Sequence, residues 1–154
     1  MPSRRNAIAM TDPELHTFLQ EERVVTVATV GPGGRPHLMP LWYVAEGSVV
    51  TAWTYGKSQK VKNLERRPQA TLQVEAGEAY HELRGAMLEC DVEIIRDTEK
   101  VAAIGAAVSQ RYAGVPAGTI PDAVRQQAPK RVGLVFRPTR IASWDHRKLG
   151  GGGY

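Results

Sequence analysis

The sequence has a single cysteine, Cys90, so no disulfide framework can form within the chain. No zinc-like cysteine spacing exists either. Glu89 and Asp91 flank Cys90, and carboxylates beside a thiol raise its pKa, which argues against a reactive thiolate. The expected role of Cys90 is that of a small strand residue. Long apolar runs are missing as well. No stretch approaches the roughly 18 residues that a membrane helix needs, so no span is expected. The start, Met1 to Asp12, carries Arg4 and Arg5 but no apolar run of signal-peptide length. A reducing, cytoplasmic setting is the expectation. Charge of one sign is only mildly in excess: 20 Lys and Arg stand against 16 Asp and Glu, a net charge of +4. That is far from the clustered basicity of a dedicated nucleic-acid binder, whereas a phosphate-bearing small molecule suits it. No internal repeat or second domain shows in the 154 residues, a length that supports one hydrophobic core.

What is present reads as strands interleaved with short helices. After a start at residues 1–10 expected to be flexible, Thr11 or Asp12 caps a helix with Pro13 in its first turn. Leu15, Phe18 and Leu19 give that helix one apolar stripe. The β-branched run Val24 to Val30 is a strand, and the glycines of 31–36 supply a turn. His37 to Ala45 and Ser48 to Tyr55 follow as two further strands, joined by Glu46 and Gly47. Pro40 has no N–H to give to a ladder, so the strand holding it should have an unpaired side. Ser58 can cap a helix that turns Val61 and Leu64 inward and stops at Arg67-Pro68. Residues 69–76 are a strand, and Tyr80 to Ile95 make one long strand or two divided near Gly85. Asp97 caps a helix through about Tyr112, Pro121 to Gln127 fits a short helix, and Val132 to Trp144 is a last strand interrupted at Pro138. The domain is expected to span 11–149, followed by a flexible glycine-rich tail at 150–154. About six or seven strands then form one antiparallel sheet system, which closes into a barrel to remove its edges.

Two segments carry chemistry. In the first, Thr54 to Leu64, a strand ends, Gly56 turns the chain, and a helix opens with Lys57, Ser58, Lys60, Lys62 and Asn63. Backbone N–H groups at a helix start favour an anion, Ser58 adds a hydroxyl, and Lys57 and Lys60 add charge. Lys60 and Asn63 lie three apart, hence on one helical face. This is a phosphate-binding layout, although no Walker loop precedes it; the same residues also fit a capped, solvated, lysine-rich surface helix. In the second, Pro36 to Tyr43, an aromatic-rich strand interrupted by Pro40 offers a flat apolar wall with free backbone groups. A planar, hydrogen-bonding ring system suits such a wall. Simple alternation of Leu41, Trp42 and Tyr43 between core and surface fits equally.

The two segments together carry a resemblance. The run VTVATVGPGGRPHLMPLWY from Val25 to Tyr43, followed by SQKVKNLERRP from Ser58 to Pro68, resembles the pyridoxamine 5'-phosphate oxidase-like split barrels. More narrowly, it is similar to their flavin/deazaflavin oxidoreductase branch. The match continues through Leu83-Arg84-Gly85 and the final strand with Trp144, and covers roughly residues 12–148. The resemblance implies a mainly β chain with helices, folded as an antiparallel six-stranded split β-barrel. It also implies a two-fold homodimer with two equivalent cofactors in grooves between the subunits. The cofactor phosphate would sit against the turn from Thr54 to Lys60, on Lys57, Ser58 and Lys60, with Asn63 in support. The ring would lie along Met39, Pro40, Leu41 and Trp42, and Trp144 of the partner chain would close the site. The substrate-binding signature of true pyridoxamine-phosphate oxidases is absent at Ser143 to Lys148, which argues against a vitamin substrate.

The expected activity is therefore that of a reductase using the deazaflavin coenzyme F420 to deliver a hydride to a small planar acceptor such as an enone. FMN is the alternative cofactor, and a non-catalytic flavin, deazaflavin or haem binder is a reading from another class. Arg35, Lys57, Lys60, Lys62 and Arg66 could supply the positive groove that an anionic tail needs. His37, and His146 beside Asp145, invite a proton relay, but neighbours along a strand point to opposite faces. Tyr55 and Arg84 are possible proton donors, Trp53 is expected in core packing, and loop 113–130 is expected to shape the acceptor pocket.

Overall fold

The computed structural model describes residues 3–150, and its order of elements is dictated by where the β-branched runs end. Seven strands, β1 (Val25–Val30), β2 (Pro36–Leu41), β3 (Val44–Glu46), β4 (Val49–Tyr55), β5 (Gln69–Ala76), β6 (Arg84–Ile95) and β7 (Arg131–Asp145), form one sheet. Their order is β2-β1-β5-β6-β7-β4-β3, and every neighbouring pair is antiparallel. The edge strands β2 and β3 are consecutive in the chain, separated only by Trp42 and Tyr43. That link reaches at most about 10 Å. The sheet must therefore curl until its edges nearly meet, which makes a split barrel.

The strand count is seven rather than six because the expected strand His37 to Ala45 divides. Tyr43 is the cause. Its ring is fully buried, and its hydroxyl donates to the carbonyls of Leu19 at 2.7 Å and Glu22 at 3.1 Å. Turning Tyr43 into the core bends the chain, so β2 pairs with β1 and β3 pairs with β4. Pro40 sits on β2, which has a single partner strand, as a residue without an N–H requires. Pro138 is handled similarly: Cys90 pairs with Pro138 and Glu89 with Arg140, leaving Thr139 as an extra bulged residue.

Alternation along the strands puts Val25 and Val27 of β1, Val50 and Ala52 of β4, Leu72 and Val74 of β5, Leu88 of β6 and Phe136 of β7 into one core. The helix α2 (Asp12–Glu21), capped by Thr11 and opened by Pro13, adds Leu15, Phe18 and Leu19. The helix α3 (Gln59–Arg66) adds Val61 and Leu64 to the same core. Cys90 is buried in this core, and burial, with Asp91 beside it, pushes its thiol pKa up to about 12, so it is inert packing. A smaller cluster joins α4 (Thr98–Ala113) and α5 (Asp122–Gln127) outside the barrel through Val101, Ala102 and Val124, with Trp53 packed against it. Residues 3–10, expected to be flexible, contain instead the helix α1 (Arg4–Ile8), whose start Ser3 caps by accepting from the Asn6 N–H. Gly150 ends the described chain in a left-handed conformation; the rest of the glycine-rich tail lies outside the described residues. No described helix is long and apolar enough to cross a membrane.

Candidate functional site

The turn after β4 builds a polar plug into one end of the barrel. Thr54, on the inward face of β4, is buried, and Lys60 on α3 is only 7% exposed. The Lys60 Nζ donates to Thr54 Oγ1 at 3.0 Å. Burial, with the nearby Arg131 charge second, holds the Lys60 pKa below the ordinary lysine value. Asn63, three residues on, is fully buried, donates to Thr29 Oγ1 at 3.0 Å and accepts from Gln59 at 2.8 Å and Arg66 at 3.1 Å. Lys60 and Asn63 thus share the inward face of α3, as their spacing predicts. Lys57 is exposed at the turn itself.

Ser58 stands at the N-cap position of α3, yet its hydroxyl makes no capping hydrogen bond. That corrects the sequence expectation of a serine cap. Its Oγ is buried with no partner among the described residues. A hydroxyl in that condition loses its water without compensation. The first-turn N–H groups of α3 are likewise donors without an intrahelical acceptor. Neither Lys57 nor Lys60 makes an ion pair among the described residues. Donors and cations without a carboxylate fit a phosphate.

The second predicted segment forms one wall of a cleft of about 450 Å³. Pro40, Leu41 and Trp42 line it together with Trp53, Tyr112 and Arg131. Trp42 is 57% exposed and stacks flat on Tyr112, ring centroids 4.6 Å apart and planes 7° from parallel. Met39 is exposed one residue outside the lining. Trp53 is partly buried against α4, an approach that Gly105 permits, since a Cβ there would lie 2.6 Å from the indole. Trp53 therefore both packs, as expected, and lines the cleft.

Arg111 and Tyr112 fix this wall, and the sequence reading missed both. Arg111 donates to the carbonyls of Leu19, Gln20 and Glu22 at the end of α2 and to Tyr43 O, while its guanidinium lies 4.5 Å from the Tyr43 ring centroid. Tyr112 Oη sits 3.1 Å from Tyr43 N, whose N–H it accepts, and 2.8 Å from Arg23 O, to which it donates. The only local signal was a basic residue in the last turn of a helix; its partners are some 68 to 92 positions away. Arg131 was also missed, because nothing local marks the first residue of a strand as functional.

Other expected residues lie elsewhere. Trp144 packs across Gly85, far along β7 from Arg131. It lines a separate hollow with Ile8, Met87 and His146 and is not among the residues that line the aromatic cleft of its own chain. Asp145 and His146 form no relay: the Asp145 carboxylate takes a two-pronged contact from Arg147, and His146 Nδ1 meets Tyr80 O at 2.8 Å. Arg84 pairs with Glu21 and Glu22. His37 is near β1 across the ladder from Thr29, and its Nδ1 is buried without a partner among the described residues. Of the proposed groove cations, Arg66 is tied to Val30 O and Asn63, while Arg35 and Lys62 are exposed. Pro116 and Ile120 of the 113–130 loop line a separate hollow against α4. No cluster of three metal-ligating side chains occurs among the described residues.

A curled antiparallel sheet with an anion-suited turn at one end and an aromatic wall at the open edge defines a split-barrel protein. The pyridoxamine 5'-phosphate oxidase family model matches residues 11–145, and the chain belongs to that family. Among solved structures it is similar to a conserved hypothetical protein from Mycobacterium tuberculosis, with 38% identity over 97% of this chain and 93% of that one, at a TM-score of 0.89. It is also similar to an F420 reductase, with 25% identity over 82% of this chain and 94% of that one, TM-score 0.65. A haem storage protein from Vibrio cholerae shares the fold at 20% identity over 84% of this chain and 92% of that one, TM-score 0.66. No curated protein matches the sequence.

Proposed function

We propose that the protein binds a phosphate-bearing flavin-type cofactor, the deazaflavin F420 ahead of FMN, and acts as an oxidoreductase on a small planar acceptor such as an enone. The observation that carries this reading is the buried, unpartnered Ser58 Oγ at the start of α3, two residues from a buried lysine that has no carboxylate. Lys57, Ser58 and Lys60 hold the phosphate, and Thr54 and Asn63 set the positions of Lys60 and of α3. The ring lies along Met39, Pro40, Leu41 and Trp42, where β2 has an open edge. When bound, such a cofactor supplies the hydride. The chain's own residues bind it, orient it and keep one face toward the cleft.

The likeness to an F420 reductase at 25% identity favours the deazaflavin. A two-fold homodimer completes the reading: Trp144 lines a different hollow from the cleft of its own chain, and the partner subunit's Trp144 closes the site. Exposed Leu38 and Ile141 on the strands give such a contact apolar area. The test is direct. A yellow preparation with flavin absorbance assigns FMN, and a colourless one that quenches added F420 fluorescence assigns the deazaflavin. Binding of neither at low micromolar concentration defeats the reading. Sedimentation reads the dimer, and a stable 16.9 kDa monomer contradicts it.

A further inference from the structure

We infer that the aromatic cleft selects a planar acceptor bearing a carboxylate, and that Arg131 is the residue that reads the negative charge. The inference rests on the proposed function and names the substrate class of that site. The cleft is walled by Leu41, Trp42, Trp53, Val108 and Tyr112, and among the described residues Arg131 is the one charged side chain lining it. Its volume of about 450 Å³ lies within the range that accommodates a small ring system. The stack of Trp42 on Tyr112 holds one wall flat, which favours a planar guest over a branched one.

Arg131 is held in place before any ligand arrives. Its guanidinium lies over the Trp53 ring at 4.4 Å and the Tyr55 ring at 4.3 Å. Its Nε donates to Gln127 Oε1 at 3.0 Å. The two terminal amino groups make no hydrogen bond and no ion pair among the described residues, so the fork that matches a carboxylate is available. A guanidinium held against two rings loses little freedom on binding, and it is more weakly hydrated than an ammonium. The two cations at this end also serve different ligands by geometry. Lys60 reaches Thr54 on the inward face of β4, whereas Trp53 and Tyr55, which carry Arg131, alternate to the outward face. The cofactor phosphate belongs to the first and the acceptor carboxylate to the second.

The experiment is a calorimetric titration of cofactor-free protein with cinnamate and with cinnamamide, a planar acid and its neutral counterpart. Wild-type protein should bind the acid about tenfold tighter than the amide, as a charge-assisted fork would give. Arg131→Gln should abolish that preference, and Arg131→Lys, which keeps the charge and loses the fork, should reduce it. F420 affinity of both variants should equal that of the wild type. Equal binding of acid and amide by the wild type overturns the inference, as does a preference that survives in Arg131→Gln. Weakened F420 binding in Arg131→Gln also overturns it, by giving Arg131 to the cofactor. Because the acid and amide are titrated without cofactor, failure of F420 to bind the wild type defeats only the broader functional reading.

Discussion

Arg84 and Arg131 mark opposite ends of β7: Arg84 of β6 pairs with Asp145 at its close, and Arg131 opens the strand opposite Tyr55 of β4. Around Arg84 the charges are matched. Arg84 meets Glu21 at 3.5 Å and Glu22 at 3.7 Å, Arg147 meets Asp145 at 2.7 Å, and Lys148 meets Glu14 at 2.9 Å. Around Arg131 they are not. Lys57, Lys60 and Arg131 make no ion pair among the described residues, and one of the three is buried. A buried cation without a counter-charge opposes folding, and a nearby like charge adds to the cost. The protein tolerates at one end what it neutralises at the other. That asymmetry is what a binding site for an outside anion requires.

Supplying the missing carboxylate should produce the largest effect. Ser58→Asp places a carboxylate at the start of α3, two residues from Lys60, and should weaken F420 binding by about 3 kcal/mol, read by fluorescence quenching. The same substitution should leave the melting temperature unchanged or raise it, since aspartate is a favourable N-cap near a helix dipole. Unchanged affinity would move the phosphate elsewhere.

At the matched end, Asp145→Asn should cost about 1–2 kcal/mol of stability with no change in cofactor affinity. The hydrogen bonds from Arg147 hold the Asp145 pKa below the ordinary carboxylate value. Its contribution is therefore present above the unfolded pKa and lost as pH falls through the lowered folded one. Denaturant melts from neutral pH into acid should show that loss in the wild type and less of it in Asp145→Asn.

A smaller effect comes from Lys60. Burial and then Arg131 depress its pKa, so it gives up its proton below the ordinary value of 10.5. A bound phosphate favours the charged form, so F420 affinity should fall as pH rises, starting below 10.5. The decline should reach about 1 kcal/mol and flatten in Lys60→Gln. The smallest effect belongs to Glu21→Gln with Glu22→Gln. These acids are partly exposed, and their loss should cost less than about 1 kcal/mol of stability, with cofactor affinity untouched; a marked drop in affinity would erase the contrast between the ends.

Much of this arrangement is legible in local patterns. Pro40 marked the open edge because a missing N–H is a property of one residue. Val61 and Leu64 marked the buried face of α3, and the same helical period put Lys60 and Asn63 together. What escaped depends on distant partners. Tyr43 splits a strand because its ring finds Leu19, Glu22 and Arg111, none of which its neighbours announce. The depth of Lys60 is also nonlocal: spacing shows that it shares a face with Asn63, and only the barrel end decides that this face points inward. Arg131 acquires its meaning from Trp53 and Tyr55 on the facing strand. Ser58 looked like a cap because that is what serine does at a helix start, and its unpartnered hydroxyl appears only in three dimensions.

The most direct test of the asymmetry is one F420 titration run on three proteins: wild type, Lys57→Ala with Lys60→Ala, and Arg84→Gln with Arg147→Gln. The lysine pair should weaken binding by a few kcal/mol, as loss of charge-assisted hydrogen bonds implies, and the arginine pair should bind as the wild type does. Equal losses in both variants, or a loss confined to the arginine pair, would contradict the account.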